Sequence, residues 1–310
     1  MAEKSEGRIE MSKKTGNLVI AAVIAAVAAV AGCQMHQRSH IAKKGWNEMD
    51  GKIIVGSFNV RVPTDPEPND WASRKDRLCR DLKRLEYDIF GAQEAVPMQI
   101  ADMEAAGYEH RGHGRNEELA GEGTPVFFRA ARFEALEDKT IWLSETPDVF
   151  SIDYGSSLPR VATIVRFRDR ETGRELVFAN VHLAHRKIDA ECRVKQLSVL
   201  LRELKKYQTA GLPVILTGDF NAHPDGPTYR LAAEQFRDSS KISQTPPVCR
   251  EGRTFHGYKR VRPEDRIDSP IDFIFVSEGI TVLSYESFDN FDENGLASSD
   301  HFPQKAVIRL

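Results

Sequence analysis

From Lys52 to Leu310 the chain alternates short apolar, β-branched runs with longer stretches in which apolar positions return every three or four residues. The short runs are Ile53-Ile54-Val55, Asp88 to Ala92, Val126 to Phe128, Val161 to Phe167, Leu176 to Val181, Pro213 to Thr217, Ile271 to Val276 and Ala306 to Leu310, and each predicts a strand. Two helices are legible. Trp71 to Glu86 sets Leu78, Leu82 and Leu85 on one face, and Ala190 to Tyr207 does the same with Leu197, Leu200, Leu201 and Leu204. Thr172-Gly173, between two strand patterns, reads as a hairpin turn. No second linker and no solenoid repeat interrupts the pattern, so residues 51–310 read as one α/β domain.

Ahead of this domain the pattern changes character. Lys13 and Lys14 precede an apolar run, Leu18 to Ala31, closed by Val30-Ala31-Gly32-Cys33. A basic start, an apolar core of this length and a small-residue exit predict a secretory signal peptide over residues 1–32. A membrane span needs about 20 apolar residues, more than this run offers. Cys33 after Ala31-Gly32 resembles the bacterial lipobox, in which that Cys takes the lipid and becomes the mature N-terminus. Met11 opens a signal of ordinary proportions and is an alternative start. Gln34 to Asp50 is polar and aperiodic, so residues 33–50 read as a tether. The expected location is the cell envelope, with the membrane as partner through a lipid on Cys33 and a secreted or periplasmic protein as the alternative.

Composition narrows the function. With 41% apolar residues in a chain of 310, a substantial core forms without a disulfide or metal staple. A formal charge of −3 excludes a domain that coats nucleic acid non-specifically, but not a nuclease whose positive potential is confined to its cleft. With Cys33 set aside, Cys79, Cys192 and Cys249 are an odd number without metal-ligand spacing. Cys79 and Cys192 fall in the helical stretches, and a single disulfide among the three stays open.

The chemistry is written at the ends of the apolar runs. Phe58 is followed by Asn59-Val60-Arg61, Ala92 by Gln93-Glu94, and Ala179 by Asn180-Val181-His182. Thr217 leads into Gly218-Asp219-Phe220-Asn221, Asp272 sits between Ile271 and Phe273, and Ser299-Asp300-His301 precedes the last strand. Ligands in α/β folds gather beyond strand ends, so repeated placement there predicts one shared site. Any one of these could be a turn or a surface pair. Asp272 is the exception, because an acid inside an apolar strand needs a partner.

In this order the motifs resemble those of the endonuclease/exonuclease/phosphatase superfamily, which includes DNase I, over about residues 52–310. The resemblance implies a four-layer sandwich of two mixed β-sheets flanked by helices. It implies Mg²⁺ or Mn²⁺, since oxygen donors select hard cations. The metal ligands would be Glu94, supported by Asn59, with Asp300 close by. Asp219 would orient or deprotonate the attacking water, and Asn221 would bind the phosphate or hold that geometry. His301 would contact the scissile phosphate, with Asp272 fixing its tautomer and charge, and His182 would be a further phosphate contact. Arg61 departs from members that carry an acid at that position, which weakens a two-metal reading and adds a guanidinium for phosphate. It resembles a bacterial branch with Phe-Asn-x-Arg, Pro-Arg-Val-Ala-Thr (residues 159–163) and Thr-Phe-His-Gly (residues 254–257), which makes Arg160 and His256 secondary substrate contacts.

His185 and Arg186 are read as cleft rim or solvated loop, and Lys259, Arg260, Arg262 and Arg266 as steering charges or a solvated loop. The leading expectation is a monomeric phosphodiesterase acting on nucleic acid or nucleotides. The alternative keeps the chemistry but takes phospholipid headgroups, inositol phosphates or sugar phosphates. A surface binding module without catalysis is the third reading, and the filled catalytic positions speak against it.

Overall fold

The computed structural model describes residues 51–249, 252–260 and 269–310. The expected signal peptide, Cys33 and the tether lie outside the described residues, as do Arg262 and Arg266. Residues Gly51–Leu310 form one compact unit.

Thirteen strands fall into two mixed sheets among the described residues. The seven-stranded sheet runs β10 (Val248–Cys249), β12 (Thr281–Ser287), β13 (Gln304–Arg309), β1 (Lys52–Asn59), β2 (Ile89–Gln93), β4 (Val126–Phe128) and β3 (Glu109–Arg111). The six-stranded sheet runs β5 (Phe133–Trp142), β6 (Val161–Asp169), β7 (Glu175–His182), β8 (Val214–Asp219), β11 (Asp272–Val276) and β9 (Arg237–Asp238). The pairs β1–β2 and β7–β8 are parallel, and their neighbours β13 and β11 are antiparallel.

Three apolar cores separate four layers. Ile53, Val55, Ile89, Phe178, Ile215, Ile274 and Ile308 meet between the sheets. Leu78, Leu82 and Leu85 of α1 (Trp71–Leu85) cover the outer face of the seven-stranded sheet, together with Met103 of α2 (Pro97–Ala105). Leu197, Leu200, Leu201 and Leu204 of α3 (Ala190–Thr209) cover the outer face of the other sheet. The expected four-layer sandwich is therefore the observed one. Two short helices, α4 (Pro227–Ala233) and α5 (Ser239–Ile242), complete the described elements.

All eight strands and both helices read from the sequence are present, with Gly173 at a φ of 71° in the β6–β7 turn. The cysteines of α1 and α3, Cys79 and Cys192, carry free thiols.

Candidate active site

Period-two alternation decides which polar side chains reach the interior. In β1, Ile53 and Val55 point between the sheets, so Ser57 and Asn59 follow. The same parity carries Gln93 of β2, Asn180 and His182 of β7, Asp219 of β8 and Asp272 of β11 to the inner face. One end of the inter-sheet core is thus polar. Register then sets neighbours: Asp219 pairs with His182 on one side and Asp272 on the other, and Asn59 pairs with Gln93.

The two sheets are stitched there by side chains. Gln93 Nε2 donates to Asn180 Oδ1 at 2.7 Å, and Asn180 Nδ2 donates to Ala92 O at 2.7 Å. Gly91 makes room for this, since a Cβ there would stand 2.2 Å from Asn180 Cγ. Gln93 and Asn180 are fully buried and serve as ties rather than as reacting groups.

Above these ties lie the chemical groups. Asn59 Nδ2 donates to Glu94 Oε1 at 3.0 Å and to Asp219 Oδ2 at 3.1 Å, bridging the sheets. Its Oδ1 accepts the Arg61 N–H at 3.0 Å, and because a backbone N–H can only donate, this orients the amide. Asn59 therefore faces the carboxylates as a donor. Its place at the expected metal site is beside Glu94, to which it donates. Glu94 Oε2 accepts the Val62 N–H at 3.0 Å. Asn221 donates from its backbone to Asp219 Oδ1 at 2.9 Å. Arg61, Glu94 and Asn221 all hold positive φ, at 58°, 61° and 48°, each just past a strand end. Such strain persists where surrounding contacts over-determine it.

His301 Nδ1 lies 2.9 Å from Asp272 Oδ2, with both side chains buried. Burial works against the imidazolium, but the charge and hydrogen bond of Asp272, helped by Asp300 and Asp219, prevail and push the His301 pKa up to about 10. His182 goes the other way. Burial, then Arg160 and Arg115, hold its pKa well below the ordinary value, so it is neutral beside Asp219 at 3.6 Å. Burial and the neighbouring Asp272 push Asp219 up to about 7, against the opposing charge of His301. Burial also raises Asp300.

These carboxylates are crowded and desolvated, and that is the setting a divalent cation relieves. Glu94 Oε2 and Asp300 Oδ2 lie 3.8 and 3.7 Å from the Arg61 guanidinium, on a shared cationic neighbour. Asp219, Asp272 and His301 also bring ligand atoms within 4.8 Å of one another. That trio is the poorer metal site, because a protonated imidazole whose Nδ1 is committed to Asp272 offers no lone pair there. Oxygen donors without a thiolate fit a hard cation.

A cleft of about 370 Å³ opens over this end, lined by Arg61, Glu94, Arg160, His182, Asp219, Asn221, Asp300 and His301 among others. His185 lines it too and meets Arg160 Nη2 at 3.0 Å. Arg186 is turned away to Asp189 at 2.7 Å, and Arg260 to Asp289 at 3.0 Å. His256, expected as a secondary substrate contact, is buried, is not part of the cleft lining, and packs in tilted contact with Phe302 at 4.3 Å and Phe291 at 4.7 Å. Phe255 bridges to His301, and alternation turns its ring to the cleft while the next residue turns inward. The motif marks the site, but Phe255 is the residue that faces it. Arg115, Glu122 and Phe255 are lining residues with no strand-end signature that sequence reasoning could use.

The comparisons agree with this fold. A protein of Bacteroides thetaiotaomicron whose solved structure is named a mannosyl-6-phosphatase is 30% identical, with a TM-score of 0.76 over 83% of this chain and 100% of that one. The human Nocturnin catalytic domain shares the fold at 20% identity and a TM-score of 0.65, over 83% of this chain and 94% of that one. Carbon catabolite repressor protein 4 homolog 3 of Arabidopsis thaliana is 26% identical over 62% of this chain and 40% of its own length. Drosophila melanogaster Protein angel is 26% identical over 63% of this chain and 56% of its own, so the chain spans about half of these curated relatives. The endonuclease/exonuclease/phosphatase family model matches residues 56–301, from the first strand to the histidine paired with Asp272, and the chain belongs to that family of phosphoester hydrolases.

Proposed function

We propose that this chain hydrolyses a compact phosphate ester, such as a sugar phosphate, using Mg²⁺ or Mn²⁺ held by Glu94 and Asp300. When bound, the cation supplies charge to offset the phosphoryl and leaving oxygens. Asp219, with a pKa near 7, orients water and takes its proton at Oδ2, while Asn221 and Asn59 hold the carboxylate in place. The His301 imidazolium, kept charged by Asp272, meets the negative charge that builds on the phosphoryl group.

The observation that carries the substrate class is the state of the cleft's cations. Arg61 is paired with Asp65 at 2.7 Å and Arg115 with Glu122 at 2.6 Å. Among the described residues, Arg160 is the cleft guanidinium without a carboxylate partner, and its buried Nε lacks any hydrogen bond. Burial lowers its pKa to about 10, which still leaves it cationic at neutral pH. One spare guanidinium suits one phosphate. A groove that tracks a nucleic-acid backbone needs a row of them. The cleft volume of about 370 Å³ suits a ring with a single phosphate.

The nuclease reading keeps one specific support. Phe255 is 47% exposed, lines the cleft beside His301 at 5.0 Å, and offers a face on which a base could stack. Initial rates on mannose 6-phosphate, p-nitrophenyl phosphate, its bis-ester and oligo(A), with Mg²⁺ and then EDTA, separate the two. The monoesters are expected to lead in kcat/KM by at least about tenfold, or about 1.4 kcal/mol. A lead for oligo(A) transfers the assignment to the nuclease reading, and activity that survives EDTA removes the cation from it.

The reading includes a place for the protein: anchored at the cell envelope through Cys33 as a monomer, where phosphate esters from outside the cell meet the cleft.

A further inference from the structure

Arg74 heads the largest side chains wholly withdrawn from solvent, and it lies in the first turns of α1, outside the cleft lining. Its guanidinium meets carbonyl oxygens. Nε donates to Asn69 O at 2.8 Å, Nη1 to Val60 O at 2.6 Å and Ser298 O at 3.1 Å, and Nη2 to Arg61 O at 2.5 Å and Val62 O at 2.7 Å. Leaving a buried guanidinium without a carboxylate beside it is expensive, and five charge-assisted hydrogen bonds offset that cost.

What those bonds fix is direction. A peptide unit is planar and trans, so its C=O and its N–H point opposite ways. With Val60 O and Arg61 O turned to Arg74, the N–H groups of Arg61 and Val62 face the other side. There they do specific work: Arg61 N–H donates to Asn59 Oδ1 at 3.0 Å, and Val62 N–H donates to Glu94 Oε2 at 3.0 Å. Gln99 Nε2 grips Arg61 O as well, at 2.7 Å. Another of the five carbonyls, that of Ser298, precedes Ser299, whose hydroxyl donates to Asn59 O at 2.6 Å, and Asp300 follows. A single guanidinium thus joins the exit of β1 to the segment that delivers Asp300 and His301.

We propose that Arg74 is a positioning residue that sets the carboxylate of Glu94 and the amide of Asn59 at the cation site by orienting the two peptide planes between Val60 and Val62. This rests on the assignment of Glu94 as a cation ligand. Partners behind metal ligands are worth roughly 10–100-fold in affinity, and that is the effect expected here.

The test titrates the full chain with Mn²⁺, reading free Mn²⁺ by electron paramagnetic resonance, and follows amide exchange over residues 59–62. Arg74→Lys keeps the charge but cannot reach five carbonyls. Its Mn²⁺ Kd is expected to rise roughly 10–100-fold and exchange at 59–62 to quicken. Leu78→Ala, on the same helix, lowers Tm and leaves the Mn²⁺ Kd unchanged. Glu94→Gln is measured in parallel. If Glu94→Gln binds Mn²⁺ as wild type does, the cation assignment fails and takes this proposal with it. If Glu94→Gln loses Mn²⁺ while folded Arg74→Lys binds normally, the proposal about Arg74 alone is overturned. Should Arg74→Lys not fold, Gln99→Met removes the other side-chain donor to Arg61 O, leaving Arg74 Nη2 there. Quicker exchange at 59–62 with weaker Mn²⁺ binding supports the proposal, and quicker exchange with unchanged Mn²⁺ binding overturns it, because the peptide planes would then move without disturbing the cation site.

Discussion

Asp272 Oδ2 and His301 Nδ1 stand 2.9 Å apart, one on a strand of the six-stranded sheet and the other at the entry to the last strand of the seven-stranded sheet. The pair is buried, and its hydrogen bond decides which histidine in the cleft is charged. Asp272→Asn removes the counter-charge, so the His301 pKa falls from about 10 and the alkaline limit of activity moves to lower pH. We expect kcat to drop by about 10²–10³ with KM little changed, as for loss of a group that acts on transition-state charge. His301→Ala should cost at least as much, and the double variant about the same as His301→Ala. Rates that multiply independently across pH 5 to 9 would show that the two do not act as a unit.

Glu94→Gln keeps the shape of the side chain and removes its charge. The Asn59 amide still has an oxygen to reach, so the fold should stay intact while activity at limiting Mg²⁺ falls by orders of magnitude. A variant that matches wild type across a Mg²⁺ titration places the metal elsewhere.

Arg160→Ala removes the guanidinium that lacks a carboxylate partner among the described residues. Loss of a charge-assisted phosphate contact should lower kcat/KM by about 1.5–3 kcal/mol, roughly 10–150-fold. Arg160→Lys should recover only part of this, since an ammonium cannot hold two phosphoryl oxygens at once. Full recovery by Lys would argue for a simple charge at that position.

Acid sensitivity of the fold should centre partly on His256. Burial lowers its pKa to about 3, and its Nδ1 accepts the Tyr258 N–H, so the folded protein holds it neutral. The unfolded chain binds the proton near 6.5. His256 therefore contributes stability above pH 6.5 that is lost as the pH falls from 6.5 toward 3. His256→Phe should flatten the decline of Tm over that window. An unchanged slope assigns the acid loss to other groups.

Cys33 carries the prediction about location. Intact mass of protein taken from a bacterial membrane fraction should show residues 1–32 absent and a lipid on Cys33. An unmodified Cys33 still joined to Gly32 sinks the lipoprotein assignment.

How much of this was legible in the sequence depended on burial. Central strands such as β7 and β8 are buried along almost their whole length and read as unbroken apolar runs. The edge strand β5 does not, because Glu134, Glu137, Asp138 and Lys139 face water and a bulge between Ala135 and Glu137 breaks its alternation. The bulge in β12 between Val282 and Ser284 hides that strand in the same way. Helix α2 is short, begins at Pro97 and buries only Gln99 and Met103. In the site, placement at or just beyond the ends of apolar runs made Asn59, Glu94, Asp219, Asp272 and His301 visible. Arg115 and Glu122 sit on a loop between short strands, where no periodicity marks direction. Phe255 carries no polar or titratable group, so the sequence points to His256 beside it, and only the backbone shows which of the two faces the cleft.

The ties across the sandwich also make the cleft a gauge of how well its halves are aligned. Asn59 to Asp219 at 3.1 Å and Asp272 to His301 at 2.9 Å each join residues carried by different sheets. A slip of one sheet over the other by about 2 Å would stretch both beyond hydrogen-bond length while leaving every strand paired within its own sheet. Loosening the apolar filling midway between the layers, as Phe178→Ala would, should thus erase turnover at temperatures where the far-ultraviolet spectrum is still that of the intact protein.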